Sequence, residues 1–335
     1  MPLAFRSDDG LNNQLEELWN ASIGSSTRQA YETGLNCFKT FMALNGISCY
    51  NGKLPEIDES CLLYFVTYCQ KSLYLKHQTI KLYLAGVRYF YIRGRGFDPL
   101  KNALRLPIVL RGIKKSQNNV TRERLPITAA ILQNLCTLLS SGTFSTFIDL
   151  MLLCCFKLAF FGFLRCGEFT CRPNSDSFST VLIQDINIDP DNMSYIFRLR
   201  SSKNDPFHKG VSIIIYENSD FQPVNTMTRY IELRKNLGAR LQSPLFIESE
   251  HSCLPLSRDT FIKYLRLLLE KLGYDVDKFS GHSFRIGAAT STAACGVEDH
   301  IIQTLGRWSS DCYIRYIRTS NNVIRKAQHK MCSYA

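Results

Sequence analysis

The sequence has 335 residues, and at roughly 150 residues per domain there is room for two domains with separate cores, which excludes a small disulfide-stapled fold. Hydrophobic residues make up 45% and charged residues 21%, ordinary globular usage that excludes a disordered chain. Subtracting 29 Asp and Glu from 40 Lys and Arg leaves +11, a balance that favours a polyanionic partner or an anionic membrane surface.

Thirteen cysteines run from Cys37 to Cys332 without a CxxC pair. Many sit in apolar runs, as Cys154 and Cys155 do, where a thiol acts as a small hydrophobe, so a reducing intracellular setting is expected. The opening MPLAFRSDDG has no apolar core of a secretory signal. The longest apolar stretch, Phe147 to Leu164, contains Asp149 and Lys157 and reads as a core helix, so no membrane partner is expected.

Ser26 and Thr27 precede Tyr31, Leu35, Phe38 and Phe41, the spacing of an amphipathic helix with a candidate N-cap. Asp58 opens a second helix, a third runs from about Lys76 to Ile92, and a fourth from about Pro99 to Lys115, with Pro99 in its first turn. Residues 1–118 therefore read as a helical domain. Between Lys76 and Lys115 stand ten Lys or Arg and one acid, Asp98, with Tyr83, Tyr89, Phe90 and Tyr91 interleaved. So few acids on such a face point to phosphate contacts.

Residues 119–125 read as a linker, and residues 126–335 as a second domain. A helix begins after Thr128, and the apolar helix from Phe147 is expected to end near Arg165. Val181 to Ile188, Tyr195 to Arg200 and Val211 to Tyr216 read as a three-stranded antiparallel meander. Helices then resume at about Pro223 to Leu237, Ser257 to Leu272, Ser283 to Cys295, Glu298 to Leu305 and Ser310 to Ile317. The fold class is mainly α with a small antiparallel β-sheet.

Arg165, at the end of a very apolar helix, must reach an acid or a bound anion, and Glu168 is three residues on. Downstream, His282 and Arg285 are spaced to share one side of a helical turn, and Trp308, Tyr313 and Tyr316 follow. Two arginines, a histidine, a hairpin lysine and a late tyrosine suit attack of a phenol on a phosphodiester. Guanidinium forks complement the charge that gathers on the non-bridging oxygens, and a lysine can protonate the leaving alkoxide. No His and Cys spacing resembles a zinc site.

LRCGEF, the hairpin Ser202-Lys203-Asn204-Asp205-Pro206-Phe207, GHSFRIGAAT, LGRW and YIRYIR occur in the order and approximate spacing of the tyrosine recombinases. The chain resembles that family over nearly its whole length, and LGRWSSD with SKNDPF looks most like the crypton and DIRS-type transposon branch. The resemblance implies a helical core-binding domain followed by an α+β catalytic domain, together forming a clamp on double-stranded DNA. It makes Arg165 and Arg285 the phosphate-binding arginines, Lys203 the general acid and His282 a phosphate ligand or proton carrier. Glu168 is the supporting acid, Trp308 stands at the family's His or Trp position, and Tyr316 is the nucleophile. Tyr313 remains a rival for Tyr316, and Lys209 for Lys203; the Trp308 to Tyr316 interval of eight is one shorter than in many phage and bacterial members.

The implied reaction is strand cleavage and rejoining through a 3'-phosphotyrosyl intermediate, with no metal, nucleotide or other cofactor and no small-molecule substrate. Assembly on DNA as a dimer or tetramer and a nuclear location in a eukaryotic host are implied too, with the tail from Asn321 to Ala335 a candidate for docking on a neighbouring subunit. A non-catalytic DNA-binding protein on the same scaffold and a type IB topoisomerase are the alternatives.

Overall fold

The structure is a computed structural model, and it describes residues 9–47, 54–117, 124–171, 180–200, 205, 209–319, 324–325, 328–329 and 331. The chain divides into two compact units, Met1–Thr121 and Arg122–Ala335. Among the described residues no helix is long and apolar enough to cross a membrane.

The first unit holds α1 (Asp9–Ala21), α2 (Ser25–Leu44), α3 (Glu59–Lys71), α4 (His77–Arg95) and α5 (Leu106–Ser116). Phe38, Phe65 and Tyr91, from α2, α3 and α4, meet in its core with edge-on rings. Asp58 caps α3 as expected, accepting from the Cys61 amide at 2.8 Å. The cap of α2 is Gly24 rather than Ser26 or Thr27, and α1, which buries no residue, gave no clear pattern in the sequence. The fourth expected helix starts at Leu106, not Pro99, because the Asp98 carboxylate accepts from the Leu100 amide and sets a turn there; Pro107 takes the first helical turn instead.

The basic run is less bare than its sequence suggests. Arg88 pairs with the run's own Asp98, while Arg93 pairs with Glu16, Arg95 with Glu56 and Arg105 with Glu59, so acids from other segments reach three of the ten bases. Lys76, Lys81, Lys101, Arg111, Lys114 and Lys115 are exposed. Gln117 ties the end of α5 to the start of α4, accepting from the His77 amide and donating to the Leu75 carbonyl, each at 2.8 Å.

The second unit is built on α6 (Ala129–Ser140), α7 (Thr146–Phe161), α8 (Pro223–Asn236), α9 (Arg258–Lys271), α10 (Ser283–Ala294) and α11 (Asp299–Leu305). Its three-stranded antiparallel sheet runs in the order β1 (Ile186–Asp189), β2 (Ser194–Leu199), β3 (Val211–Tyr216). The register aligns Ile186, Phe197 and Ile213 toward the core. The first strand is shorter than expected, since residues 183–185 form a 3₁₀ turn in which the Asp185 side chain accepts from the Leu182 amide. Segment α7 is the central helix, buried on nearly every side; Asp149 accepts from the Phe144 amide and Lys157 donates to Thr226 Oγ1 at 2.6 Å.

Candidate active site

Helix α7 ends at Phe161, four residues before Arg165, and the way it ends makes the site. The Leu164 amide donates to the Ala159 carbonyl and the Phe163 amide to the Phe160 carbonyl, a Schellman closure with Phe163 in the left-handed region at φ 50°. A phenylalanine holding that conformation carries strain of about 1–3 kcal/mol. The turn leaves the Gly162 and Phe163 carbonyls free for arginines and delivers Arg165 to the start of a 3₁₀ turn, Cys166–Glu168.

Within that turn the Glu168 carboxylate reaches back, accepting from the Arg165 amide at 2.9 Å and from Arg165 Nη1 at 2.8 Å. Glu168 is buried, whereas Arg165 keeps 20% of its side chain exposed, and the rest of its fork has no partner among the described residues. The pair expected from the sequence is therefore present, with donors to spare.

The segment carrying His282 and Arg285 is brought alongside by a close backbone approach. The Cys166 amide donates to the Gly281 carbonyl, and a Cβ at Gly281 would lie 2.4 Å from Cys166 Cβ. His282 is the N-cap of α10 and stays exposed, while Arg285, in the first turn, is 1% exposed. Arg285 donates to the Phe163 carbonyl at 2.6 Å and to the Gly306 carbonyl, with its guanidinium carbon 4.4 Å from the centre of the Trp308 ring and 5.9 Å from that of Tyr316. Burial and then the nearby Arg165 bring its pKa down to about 10, so it is charged at neutral pH. Partial desolvation of the His282 ring, and then Arg165, Arg258 and Arg285, hold it below the ordinary histidine value.

The expected last short helix is a 3₁₀ segment, Asp311–Tyr316, in which residues three apart lie one above the other. Tyr313 and Tyr316 nevertheless have different surroundings. Tyr313 is buried with the Asp299 carboxylate near its hydroxyl; burial and then that carboxylate raise its pKa. Tyr316 is half-buried, its ring 5.1 Å from Trp308 and on the arginine side. Thr290 of α10 donates to the Tyr316 carbonyl and accepts from the Arg318 amide, both at 3.1 Å, which fixes the backbone on each side of the tyrosine.

Six of the seven sequence-derived site residues thus gather at one place: Arg165, Glu168, His282, Arg285, Trp308 and Tyr316. Lys203 lies outside the described residues; its rival Lys209 is exposed. Most of the tail also falls outside them, with Ile324 and Met331 helical and exposed. His251 and His300 are exposed beside Glu250 and Glu298, and no group of metal-ligand type occurs among the described residues.

Three contributors were not singled out from sequence. Arg307 donates to the Gly162 carbonyl at 2.8 Å and to Glu168 Oε2 at 3.3 Å, so one carboxylate serves two guanidiniums. Arg258, at the start of α9, lies beside His282. Thr290 is the third. Arg307 stood inside the LGRW motif, but only the fold shows that its partner is 139 residues away. The inner cluster sets Arg165, Arg285 and Arg307 against Glu168, three positive charges and one negative.

No family model matches the chain, and no curated protein does. Solved structures do. The XerH site-specific recombinase bound to palindromic difH substrate, a post-cleavage complex, matches with a TM-score of 0.63 at 15% identity, over 94% of this chain and 83% of that one. The Tn1549 transposon integrase in complex with transposon right end DNA matches with a TM-score of 0.56 at 14% identity, over 91% and 99%. A lambda integrase dimer bound to a COC' core site gives 0.53 at 16% identity, over 91% and 75%. The mainly helical chain with its small sheet therefore has the fold of the tyrosine recombinases and integrases.

Proposed function

We propose that the protein is a site-specific DNA recombinase that cuts and rejoins DNA strands through a 3'-phosphotyrosyl intermediate. The observation that carries this reading is the net-positive cluster facing a tyrosine: Arg165 and Arg307 share the one carboxylate of Glu168, Arg285 adds a third guanidinium held by backbone carbonyls, and the Tyr316 ring lies within reach of Arg285. A half-buried site with two positive charges in excess is completed by an anion. A phosphodiester brings one charge, and the trigonal-bipyramidal transition state gathers more on its non-bridging oxygens, where guanidinium donors hold it best. The DNA complexes of the proteins with this fold support a duplex as the ligand.

In the proposed step the Tyr316 oxygen attacks the scissile phosphorus, a phosphorus–oxygen bond forms to the tyrosine, and the bond to the 5'-oxygen breaks. The phenolic proton passes to water or to His282, whose neutral ring can accept it. The departing 5'-oxygen takes a proton from Lys203, the role the resemblance gives that residue. Attack by a 5'-hydroxyl on the phosphotyrosine reverses the sequence, and the ester preserves the bond energy for rejoining. The LGRWSSD and SKNDPF motifs favour a mobile element of crypton or DIRS type acting in a nucleus.

The test is covalent capture. Nicked duplexes randomised on both sides of the nick are incubated with the protein, denatured, and strands attached to protein are sequenced. Recovery of a defined sequence linked by its 3' end, lost in Tyr316→Phe, supports the reading. Relaxation of any supercoiled plasmid without sequence preference would indicate a topoisomerase instead. Sequence-selective DNA binding by the unmutated protein with no adduct would make it a binding protein.

A further inference from the structure

We propose that Arg307 is the positioning residue of the anion site, holding Glu168 so that the outer donors of Arg165 face the phosphate, while Trp308 serves as a packing plate for Arg285. This rests on the reading above and adds a residue to it.

The geometry around Glu168 is divided. Oε1 takes Arg165 Nη1, while Oε2 takes the Arg165 amide and Arg307 Nη2. Both bonds from Arg165 come from one residue of the same short turn, and Arg307 Nη2 adds the one bond on the carboxylate from a distant segment, tying its position to the end of α7. Arg307 is itself anchored at the end of α7, with Nη1 on the Gly162 carbonyl and Nη2 3.5 Å from the Phe163 carbonyl. Those carbonyls are the negative end of the α7 dipole, a favourable place for a cation. Arg285 uses the same Phe163 carbonyl, so a single strained turn orders all three arginines.

Backbone strain supports the assignment. Arg307 sits at φ 55° and Phe163 at φ 50°, and the two left-handed residues meet through the Arg307 side chain. Non-glycine residues hold such angles only where their surroundings enforce them, and they concentrate at functional sites. Gly306 clears the way: a Cβ there would lie 1.6 Å from the Trp308 ring.

Trp308 is poorly placed to donate to a ligand. The residue is 6% exposed, and its Nε1 is shut from solvent with no partner among the described residues. Its ring is occupied by Arg285 on one side and packs with Phe163, Tyr313 and Tyr316. Arg307, in contrast, exposes 18% of its side chain, close to the 20% of Arg165.

The experiment compares Arg307→Met, Arg307→Lys, Trp308→Phe, Glu168→Gln and the Glu168→Gln/Arg307→Met double variant in the full chain. Two readouts are used: single-turnover adduct formation on the captured sequence, and affinity for inorganic phosphate from thermal-shift titration. Arg307→Met should slow adduct formation by about 100-fold, the scale of a small misplacement of a group that contacts the reacting phosphate, and weaken phosphate binding, with Arg307→Lys recovering part of both. Trp308→Phe, which keeps an aromatic face under Arg285, should lose less than Arg307→Met on both readouts. The double variant should be no worse than the poorer single variant, because both act through one carboxylate. Unchanged phosphate affinity in Arg307→Met, or losses that multiply in the double variant, would overturn the proposal. If Arg307→Met does not fold, the same cycle is read with Arg307→Lys. Absence of any adduct from the unmutated protein would refute the recombinase reading alone, since the phosphate titration still tests Arg307.

Discussion

Arg285 lies with its guanidinium carbon 4.4 Å from the centre of the Trp308 ring while its two terminal nitrogens hold the carbonyls of Phe163 and Gly306. The contact helps join the end of α7 to the turn after α11, alongside the Arg307 bond to the Gly162 carbonyl and the packing of Trp308 on Phe163. Lysine keeps the charge but can neither bridge two carbonyls nor stack on indole. Arg285→Lys should therefore cut adduct formation by about 100-fold or more, with sequence-selective binding retained. Single-turnover capture alongside a gel-shift titration separates the two effects, and a lysine variant that cleaves normally would remove the fork from the mechanism.

The two tyrosines of the 3₁₀ segment make opposite predictions. Tyr313 is buried and packs on Trp308, while the Asp299 near its hydroxyl is exposed, so Tyr313→Phe keeps the packed ring, leaves the carboxylate to water and should change the melting temperature little while leaving adduct formation measurable. Tyr316 is half-buried beside Arg285, and Tyr316→Phe should melt near the unmutated protein yet form no adduct. Loss of the adduct in Tyr313→Phe with its survival in Tyr316→Phe would exchange the roles.

His282 provides the pH dependence. Partial desolvation and three arginines hold its folded pKa below the unfolded value of about 6.5. Above that pH the ring is neutral in both states and makes no contribution. As pH falls below about 6.5 the unfolded chain binds the proton first, so stability declines down to the folded pKa. Adduct formation, if His282 accepts the phenolic proton, should decline over the same acidic range, and His282→Gln should lower the plateau and flatten that limb. A profile whose acidic limb is the same in His282→Gln would assign the titration to another group.

Much of this was legible in the sequence because it is local. The apolar run of α7, the β-branched strands and the alternation that aligns Phe197 with Ile213 each follow from residues near one another in the chain. Arg165 with Glu168 was legible for the same reason, being three residues apart. The end of α7 was not, because a Schellman closure normally takes glycine at the position that Phe163 fills against its own preference. Long-range pairing was hidden as well: Arg93 finds Glu16 77 residues away and Arg307 finds Glu168 139 away, so a basic run that looked nearly unopposed is partly paired and a motif arginine that looked incidental is built into the site.

Gly281 sets the distance between the two halves of the cluster. An added Cβ would lie 2.4 Å from Cys166 Cβ and 3.4 Å from Ile262 Cδ1. The first contact involves an atom fixed to the backbone of the turn that carries Arg165, so relief requires the two segments to separate. Overpacking of this kind costs about 1–3 kcal/mol. The larger effect falls on function, since moving the start of α10 away from Cys166 withdraws Arg285 from the Phe163 carbonyl and His282 from Arg165. Gly281→Ala should thus lower adduct formation far more than its drop in melting temperature accounts for. The compensating Cys166→Gly/Gly281→Ala variant, which removes the colliding atom, should recover activity. Failure of the double variant to recover, with the fold intact, would mean that Gly281 serves some need other than this close approach.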